Sequence, residues 1–349
     1  MTSAIRKNYY GLDIAKFICA LMIISSHFAA EQGHFPRSID LLFSVYIFAV
    51  PFFFTCSAFL FFKKLEDLPD KAAKRSYFIS YEKRIWIMYL AWSVIYWAFR
   101  IAGYVKYGTT LNEVLSAVHT SLVFTTYATI WFLPALGVAI AVVYAIREIK
   151  PWKLILTGAV LYAVSCLGYS YIEVSEKIPV LNTALRLYGK VFLTTRNGLF
   201  NGVPFVIVGY FAAVKPNKMN TFHNFVWAAV FSALTIFEAL ICKIYISPKA
   251  AGADTVIMLI PAQYFIISFI VRIQLQKREI YIYMRKLSIL MFTSQRLFLS
   301  AIPGLWAGFM APFTANTYIG LFMMIALIIL FDLLLIKLSS RVKVIRYLM

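Results

Sequence analysis

The stretch YIGLFMMIALIILFDLLLIKL, residues 318–338, decides the fold. It holds one carboxylate, Asp332, and one cation, Lys337, close to its end. About 20 mainly apolar residues are what one helical crossing of a bilayer's hydrocarbon core needs. The same signal recurs up the chain, near residues 12–30, 41–62, 85–105, 129–146, 152–169, 198–214, 225–245, 256–273 and 287–305. The composition agrees. Of 349 residues, 62% are hydrophobic and 14% charged, and the mean hydropathy is +0.77. Soluble domains sit near 45–50% apolar and about 25% charged, so the solvent for this much apolar surface is lipid. The expected fold is all-α: a polytopic membrane helix bundle of about ten transmembrane helices. It forms a single domain over 1–349, without a separate soluble catalytic domain.

The net charge is +19. A nucleic-acid partner is the first thought, but the distribution excludes it, because the cations fall in every second gap between apolar segments. Residues 63–84 carry Lys63, Lys64, Lys71, Lys74, Arg75, Lys83 and Arg84. The gaps at 147–153, 215–218 and 272–286, the tail 337–346, and Arg6 with Lys7 bring the total to 23 of the 34 Lys and Arg residues. Short loops with such an excess remain in the cytoplasm, which places both termini inside and the chain in the cell membrane as a multi-pass protein. The opposite gaps are 31–40, 106–128, 170–197, 246–255 and 306–317, two of them long enough to fold over the outer mouth. Leu111–Phe124 reads either as an amphipathic interfacial helix or as a solvated loop. The first apolar segment has a basic start, as a signal peptide has, yet Asp13 and Lys16 interrupt it, so an uncleaved helix is expected. Cys19, Cys56, Cys166 and Cys242 all lie in apolar segments with no metal-ligand or disulfide spacing, and they read as small hydrophobes.

Ionisable groups at bilayer depth carry the functional information, since each costs at least ~2.5–3.5 kcal/mol to insert. Asp13, Lys16, His27, Arg100, Glu238, Lys243, Arg272, Arg296 and Asp332 are in or at the ends of segments. Arg100, Lys243 and Arg272 are close enough to helix ends to snorkel. Lys16 and His27 are eleven residues apart, which on a helix is three turns plus about 20°, so both occupy one face about 16 Å apart. Such a pair describes a polar track from the cytoplasmic end into the membrane, with Asp13 one turn before Lys16 to hold it. His27 serves either an interhelical hydrogen bond or as a base for a hydroxyl. Glu238, Arg296 and Asp332 read either as structural ion-pair members or as pathway groups.

These residues resemble the acyltransferase-3 family of integral membrane proteins. The first segment reads Gly11-Leu12-Asp13-Ile14-Ala15-Lys16, then ten residues, then His27, similar to that family's basic residue, ten-residue gap and histidine. Val50-Pro51-Phe52-Phe53-Phe54 and Ser57-Ala58-Phe59-Leu60 are similar to its phenylalanine run and Ser-Gly-Phe stretch, with Ala58 where glycine is usual. Trp131-Phe132-Leu133-Pro134-Ala135-Leu136, Thr195-Arg196-Asn197-Gly198-Leu199-Phe200 and Gly209-Tyr210 extend the likeness across almost the whole chain. It also covers the membrane half of membrane-bound serine racemases.

The resemblance implies transfer of an acyl group, often acetyl, from cytoplasmic acyl-CoA to a hydroxyl of an extracytoplasmic glycan, cell-surface or lipid-linked. His27 is then the catalytic base, and Lys16 meets the CoA phosphates. Lys83 and Arg84 add phosphate contacts, or are ordinary positive-inside residues; the family's second arginine, three after Arg84, is Ile87 here. Trp131 and Arg196 are acceptor contacts or interface anchors, and Glu238 is a further substrate contact. Two family histidines are absent. One falls at Thr129, two before Trp131. The other lies in the penultimate segment, where Ser288 is followed by Thr293, Ser294 and Gln295. No tightly bound cofactor or metal is implied. The alternative is a transporter of a small polar solute, lined by Glu238, Arg296 and Asp332.

Overall fold

The computed structural model describes residues 8–32, 44–248, 250, 254–314 and 317–349. Arg6, Lys7, the first outer gap with His34 and the start of the second apolar segment lie outside the described residues. Twelve helices of twelve or more residues organise the described chain. They are α1 Tyr10–Gln32, α2 Ala49–Glu66, α3 Lys71–Tyr107, α4 Leu111–Val123, α5 Phe132–Ile146 and α6 Pro151–Leu167. There follow α7 Pro179–Phe192, α8 Val203–Val214, α9 Thr221–Ile241, α10 Leu259–Ile270, α11 Glu279–Arg296 and α12 Thr317–Leu338. A shorter helix, Ala307–Thr314, precedes α12. No strand occurs among the described residues.

Each of the ten apolar segments is helical. Six helices are long and apolar enough to cross a membrane, and Pro151–Leu167, Gly198–Val214 and Leu259–Ile270 are shorter apolar helices. The ninth segment runs through α11, a wide turn at Leu297–Ala301 and the short helix Ile302–Leu305. Wide turns also lead into α8 at Gly198–Gly202 and extend α9 at Cys242–Ile246. Two of the three run into a proline, Pro204 and Pro303, which cannot donate to the carbonyl four residues back.

Helix continues further into the gaps than hydropathy indicates. Most of the basic gap 63–84 belongs to α2 and α3. The Asp70 carboxylate accepts from Ala73 N at 2.7 Å and starts α3, whose 37 residues run about 55 Å, well past one hydrocarbon core. Leu111–Val123 is a helix, closed at its start by a reciprocal pair in which Thr110 caps Glu113 and Glu113 accepts from Thr110 N. The outer gap 170–197 contains α7, which begins at Pro179 and buries none of its residues.

Helices α2 and α8 form the centre of the bundle and are buried on almost every face. They pack on each other, as α1 packs on α11 and α9 on α10. The α2–α8 approach depends on Gly209: a Cβ there would stand 2.6 Å from Ala58 Cβ and press on the Thr55 carbonyl. Tyr10 meets Tyr281 at the start of α11, Tyr9 meets Phe59 towards the end of α2, and Gly11 faces Ile270 at the end of α10. The basic segments 63–84 and 272–286 therefore gather at the end of the bundle where α1 begins, the inner end by their charge.

Candidate active site

The face of α1 that carries Lys16 and His27 turns inward and meets two cavities. The outer one has a volume of about 750 Å³, and its walls include His27, Tyr46, Thr129, Trp131, Tyr169, Arg196, Lys243 and Asp254. The inner one, about 80 Å³, is lined by Lys16, Ser57, Tyr81, Arg84 and Thr293 among apolar groups. Helical spacing thus puts the cation and the imidazole on one face, as expected. The two groups open on separate cavities rather than one polar track: Phe53, Phe132 and Phe292 line the inner one beside Lys16, and of these only Phe292 also lines the outer one.

His27 is held from α11. Gln295 Nε2 donates to the Phe292 carbonyl at 3.1 Å, which fixes the amide and leaves Oε1 towards His27 Nδ1 at 3.0 Å. A carbonyl oxygen only accepts, so Nδ1 carries the proton, and in the neutral ring Nε2 keeps a lone pair. Gln295 belongs to the stretch of the penultimate segment where one of the family's further histidines is expected, and Thr129, at the position of the other, is on the wall of the outer cavity. The sequence marked both as places without a base. That Gln295 orients the remaining base needed the packing of α1 on α11.

At the inner end, Asp13 and Lys16 are both buried, and Lys16 Nζ is 3.8 Å from Asp13 Oδ1. Asp13 is more firmly bound by Arg285, which donates from Nε at 2.9 Å and Nη2 at 2.7 Å. This fork takes up most of the carboxylate and leaves Lys16 with the longer, weaker contact to it, on the cavity that Arg84 also lines. Arg285, one of five cations in its gap, carried no signal of its own in the sequence. Lys83 is exposed and lines neither cavity.

On the outer wall, Arg196 pairs with Asp254 at 2.7 Å, and its guanidinium stands 5.5 Å from the Trp131 ring and 5.4 Å from Tyr169. Burial works most strongly against the Arg196 charge, yet the Asp254 carboxylate together with Tyr169 and Tyr46 outweighs it and holds the guanidinium pKa above its ordinary value. Asp254 Oδ1 is buried with no hydrogen-bond partner among the described residues. Planar rings, a fixed cation and a free carboxylate oxygen together suit a polyhydroxylated ligand. Asp254 lies far from Arg196 in sequence, and only the fold joins them.

Glu238 stands apart from this group. Its carboxylate accepts from Ile257 N and Met258 N, both at 2.7 Å, and from the Tyr171 hydroxyl, so it caps the start of α10 and lines neither cavity. Arg296 pairs with Glu31. Asp332 is fully buried, with no hydrogen bond to either oxygen among the described residues.

An amino-acid racemase of Enterococcus faecalis is 28% identical to this chain over 218 residues, which is 61% of the chain and 29% of the racemase. The chain therefore spans less than a third of that relative's length. No solved structure matches. The acyltransferase-3 family model, described as an acyltransferase domain, matches residues 9–333, so the chain belongs to that family.

Proposed function

We propose that the chain is an O-acyltransferase of the cell membrane that moves an acyl group, acetyl in the first instance, from cytoplasmic acyl-CoA to a hydroxyl of an extracytoplasmic glycan. The observation that carries this reading is the placement of His27. It is oriented by Gln295, opens on the larger outer cavity, and shares a helix face with Lys16 on the inner one.

Lys16 and Arg84 bind the donor's phosphates at the inner end. Trp131, Tyr169, Arg196 and Asp254 hold the glycan in the outer cavity, the rings against sugar faces and the polar groups against hydroxyls. His27 Nε2 takes the proton from the acceptor hydroxyl as its oxygen attacks the thioester carbonyl. The C–O bond forms and the C–S bond breaks. The proton passes from His27 to the departing CoA sulfur, which leaves the ester and free CoA thiol.

The test is transfer of label from radiolabelled acetyl-CoA into the glycan fraction of membranes holding the wild type, His27→Ala or Lys16→Ala at equal abundance. Label that appears with the wild type, vanishes with His27→Ala and needs more donor with Lys16→Ala supports each role. Equal incorporation by all three sinks the reading. The Arg196–Asp254 pair and the racemase relative favour one second reading, a transporter of a small zwitterionic solute. It predicts uptake of a labelled amino acid that depends on Asp254 and requires no CoA thioester.

A further inference from the structure

Helix α7, Pro179–Phe192, presents an apolar face that the described chain leaves uncovered. Helical period sorts its side chains into three stripes. Leu181, Leu185 and Tyr188 are half-buried and turn to the protein, where the Asn197 amide donates to the Tyr188 hydroxyl at 2.6 Å and the Tyr188 ring meets Phe200. Val180, Ala184, Leu187 and Val191 form the second stripe, and all four are exposed. Asn182, Arg186 and Lys190 form the third, also exposed, and α7 carries no acidic residue. The helix lies in the outer gap between the membrane segments of α6 and α8. An uncovered apolar stripe beside a cationic one is the pattern of a helix seated in the lipid interface.

A strained link joins α7 to the outer cavity. Leu193 has φ +65°, and no other described non-glycine residue has a positive φ. Thr194 N donates to the Phe192 carbonyl at 2.7 Å, which closes a γ-turn of the rare, strained hand about Leu193. Such a conformation lasts only where its surroundings hold both sides of it. On one side, Thr194 and Arg196 are on the cavity wall, and Arg196 is fixed by Asp254 at 2.7 Å. On the other, α7 buries none of its residues, so the protein offers it little hold beyond Tyr188.

We infer that α7 docks on the outer leaflet, its apolar stripe at the acyl-chain boundary and Arg186 and Lys190 among anionic phospholipid headgroups, and that this docking holds the Thr194–Arg196 wall in place. The apolar stripe alone would suit a second protein surface equally. The cations decide for lipid, because two of them one turn apart, with no acid on the helix, stand where headgroup phosphates lie and reach them on long stems. The membrane surface thereby supplies the second hold on the Leu193 turn. A chain whose α7 is undocked keeps His27 and Lys16 in place but loses the setting of Arg196.

The experiment uses the full chain reconstituted in phosphatidylcholine vesicles with or without phosphatidylglycerol. All four cysteines are buried, so a thiol-reactive fluorophore labels an added surface cysteine selectively. With a nitroxide carried high on the lipid acyl chain as quencher, the label at Leu187→Cys is quenched and the label at Asn182→Cys much less. Arg186→Gln with Lys190→Gln weakens docking about fivefold for each cation lost. Omission of phosphatidylglycerol acts in the same direction, so Leu187 quenching falls in both cases. In acetyl transfer, a readout that rests on the proposed function, both changes raise KM for the glycan acceptor and leave KM for acetyl-CoA unchanged. Equal quenching at the two sites, quenching indifferent to phosphatidylglycerol and to the cations, or disulfide-linked dimers through Leu187→Cys overturns the docking and leaves the transferase reading intact. An acceptor KM that stays constant while quenching falls overturns the link to the cavity wall. A wild type that transfers no label overturns the transferase reading, and the quenching still decides where α7 lies.

Discussion

Gln295→Leu tests the orientation of His27 most directly. Leucine keeps the volume and the helix but removes the acceptor 3.0 Å from Nδ1. The imidazole N–H then lacks its partner, and the ring is free to rotate or to move its proton to Nε2, the nitrogen needed as base. An unsatisfied buried donor costs about 1–3 kcal/mol, and at about 1.36 kcal/mol per tenfold in rate that range is roughly 5- to 150-fold. His27 is half-buried at the wall of a wide cavity, so water replaces part of the lost bond. The expected loss in kcat is about tenfold, from the lower part of that range. KM for acetyl-CoA is expected to hold, because Lys16 and Arg84 line the other cavity. Gln295→Glu retains an acceptor of the same reach and recovers most of the rate. The assay is steady-state transfer from acetyl-CoA, with abundance matched by immunoblot. A leucine variant with wild-type kcat, or one whose loss lies wholly in the donor KM, refutes the reasoning.

Gly209→Ala forces a Cβ to 2.6 Å from Ala58 Cβ. Overpacking of that kind costs about 1–3 kcal/mol, read as a lower melting temperature in detergent, and Ala58→Gly added to it recovers part of the loss. Arg285→Leu leaves buried Asp13 with only Lys16 at 3.8 Å. Breaking a buried pair costs about 3–5 kcal/mol, and since the Arg285 side chain is 43% exposed the effect falls at or below the low end of that range. It also draws Lys16 to Asp13 and raises KM for acetyl-CoA; the double variant with Asp13→Asn is the more stable of the two, as a melting curve shows. Asp254→Asn removes the charge opposite Arg196 but keeps the shape. About tenfold is expected from kcat/KM for the acceptor with none from the donor KM, a loss of ~1.4 kcal/mol, measured by titrating each substrate separately.

The fold was legible because lipid imposes one rule on every segment, and the rule depends on composition alone. Residues 318–338 and 225–245 declare themselves without reference to any neighbour. What hydropathy did not show was where helices continue into water. There the local signals decide: the Asp70 cap that starts α3, the Thr110–Glu113 pair that starts α4, and Pro179 at the start of α7. The common face of Lys16 and His27 followed from helical period, since both lie on one uninterrupted helix. The ring cluster beside Lys16 did not follow. Phe53, Phe132 and Phe292 are ordinary apolar residues of three different segments, and their meeting is a property of how α2, α5 and α11 pack. Asp254 and Arg285 were hidden for the same reason, since each gains its meaning from a partner on a distant element.

Glu238 and Gln295 show why residue type alone misleads at bilayer depth. A carboxylate near the middle of an apolar segment invites a functional role, yet Glu238 is fully engaged by two backbone N–H groups and a tyrosine at the start of α10. A neutral amide where a histidine is expected reads as a loss, yet Gln295 is the group that touches His27. The amide has a chemical consequence. Unlike a second imidazole, it accepts a hydrogen bond but takes up no proton, and among the described residues His119 and His223 line neither cavity. On the transferase reading, the proton removed from the acceptor therefore meets one imidazole, His27, and leaves it for the departing sulfur or for water in the outer cavity. Base and acid are then the same nitrogen, and its turnover is tied to thiolate departure.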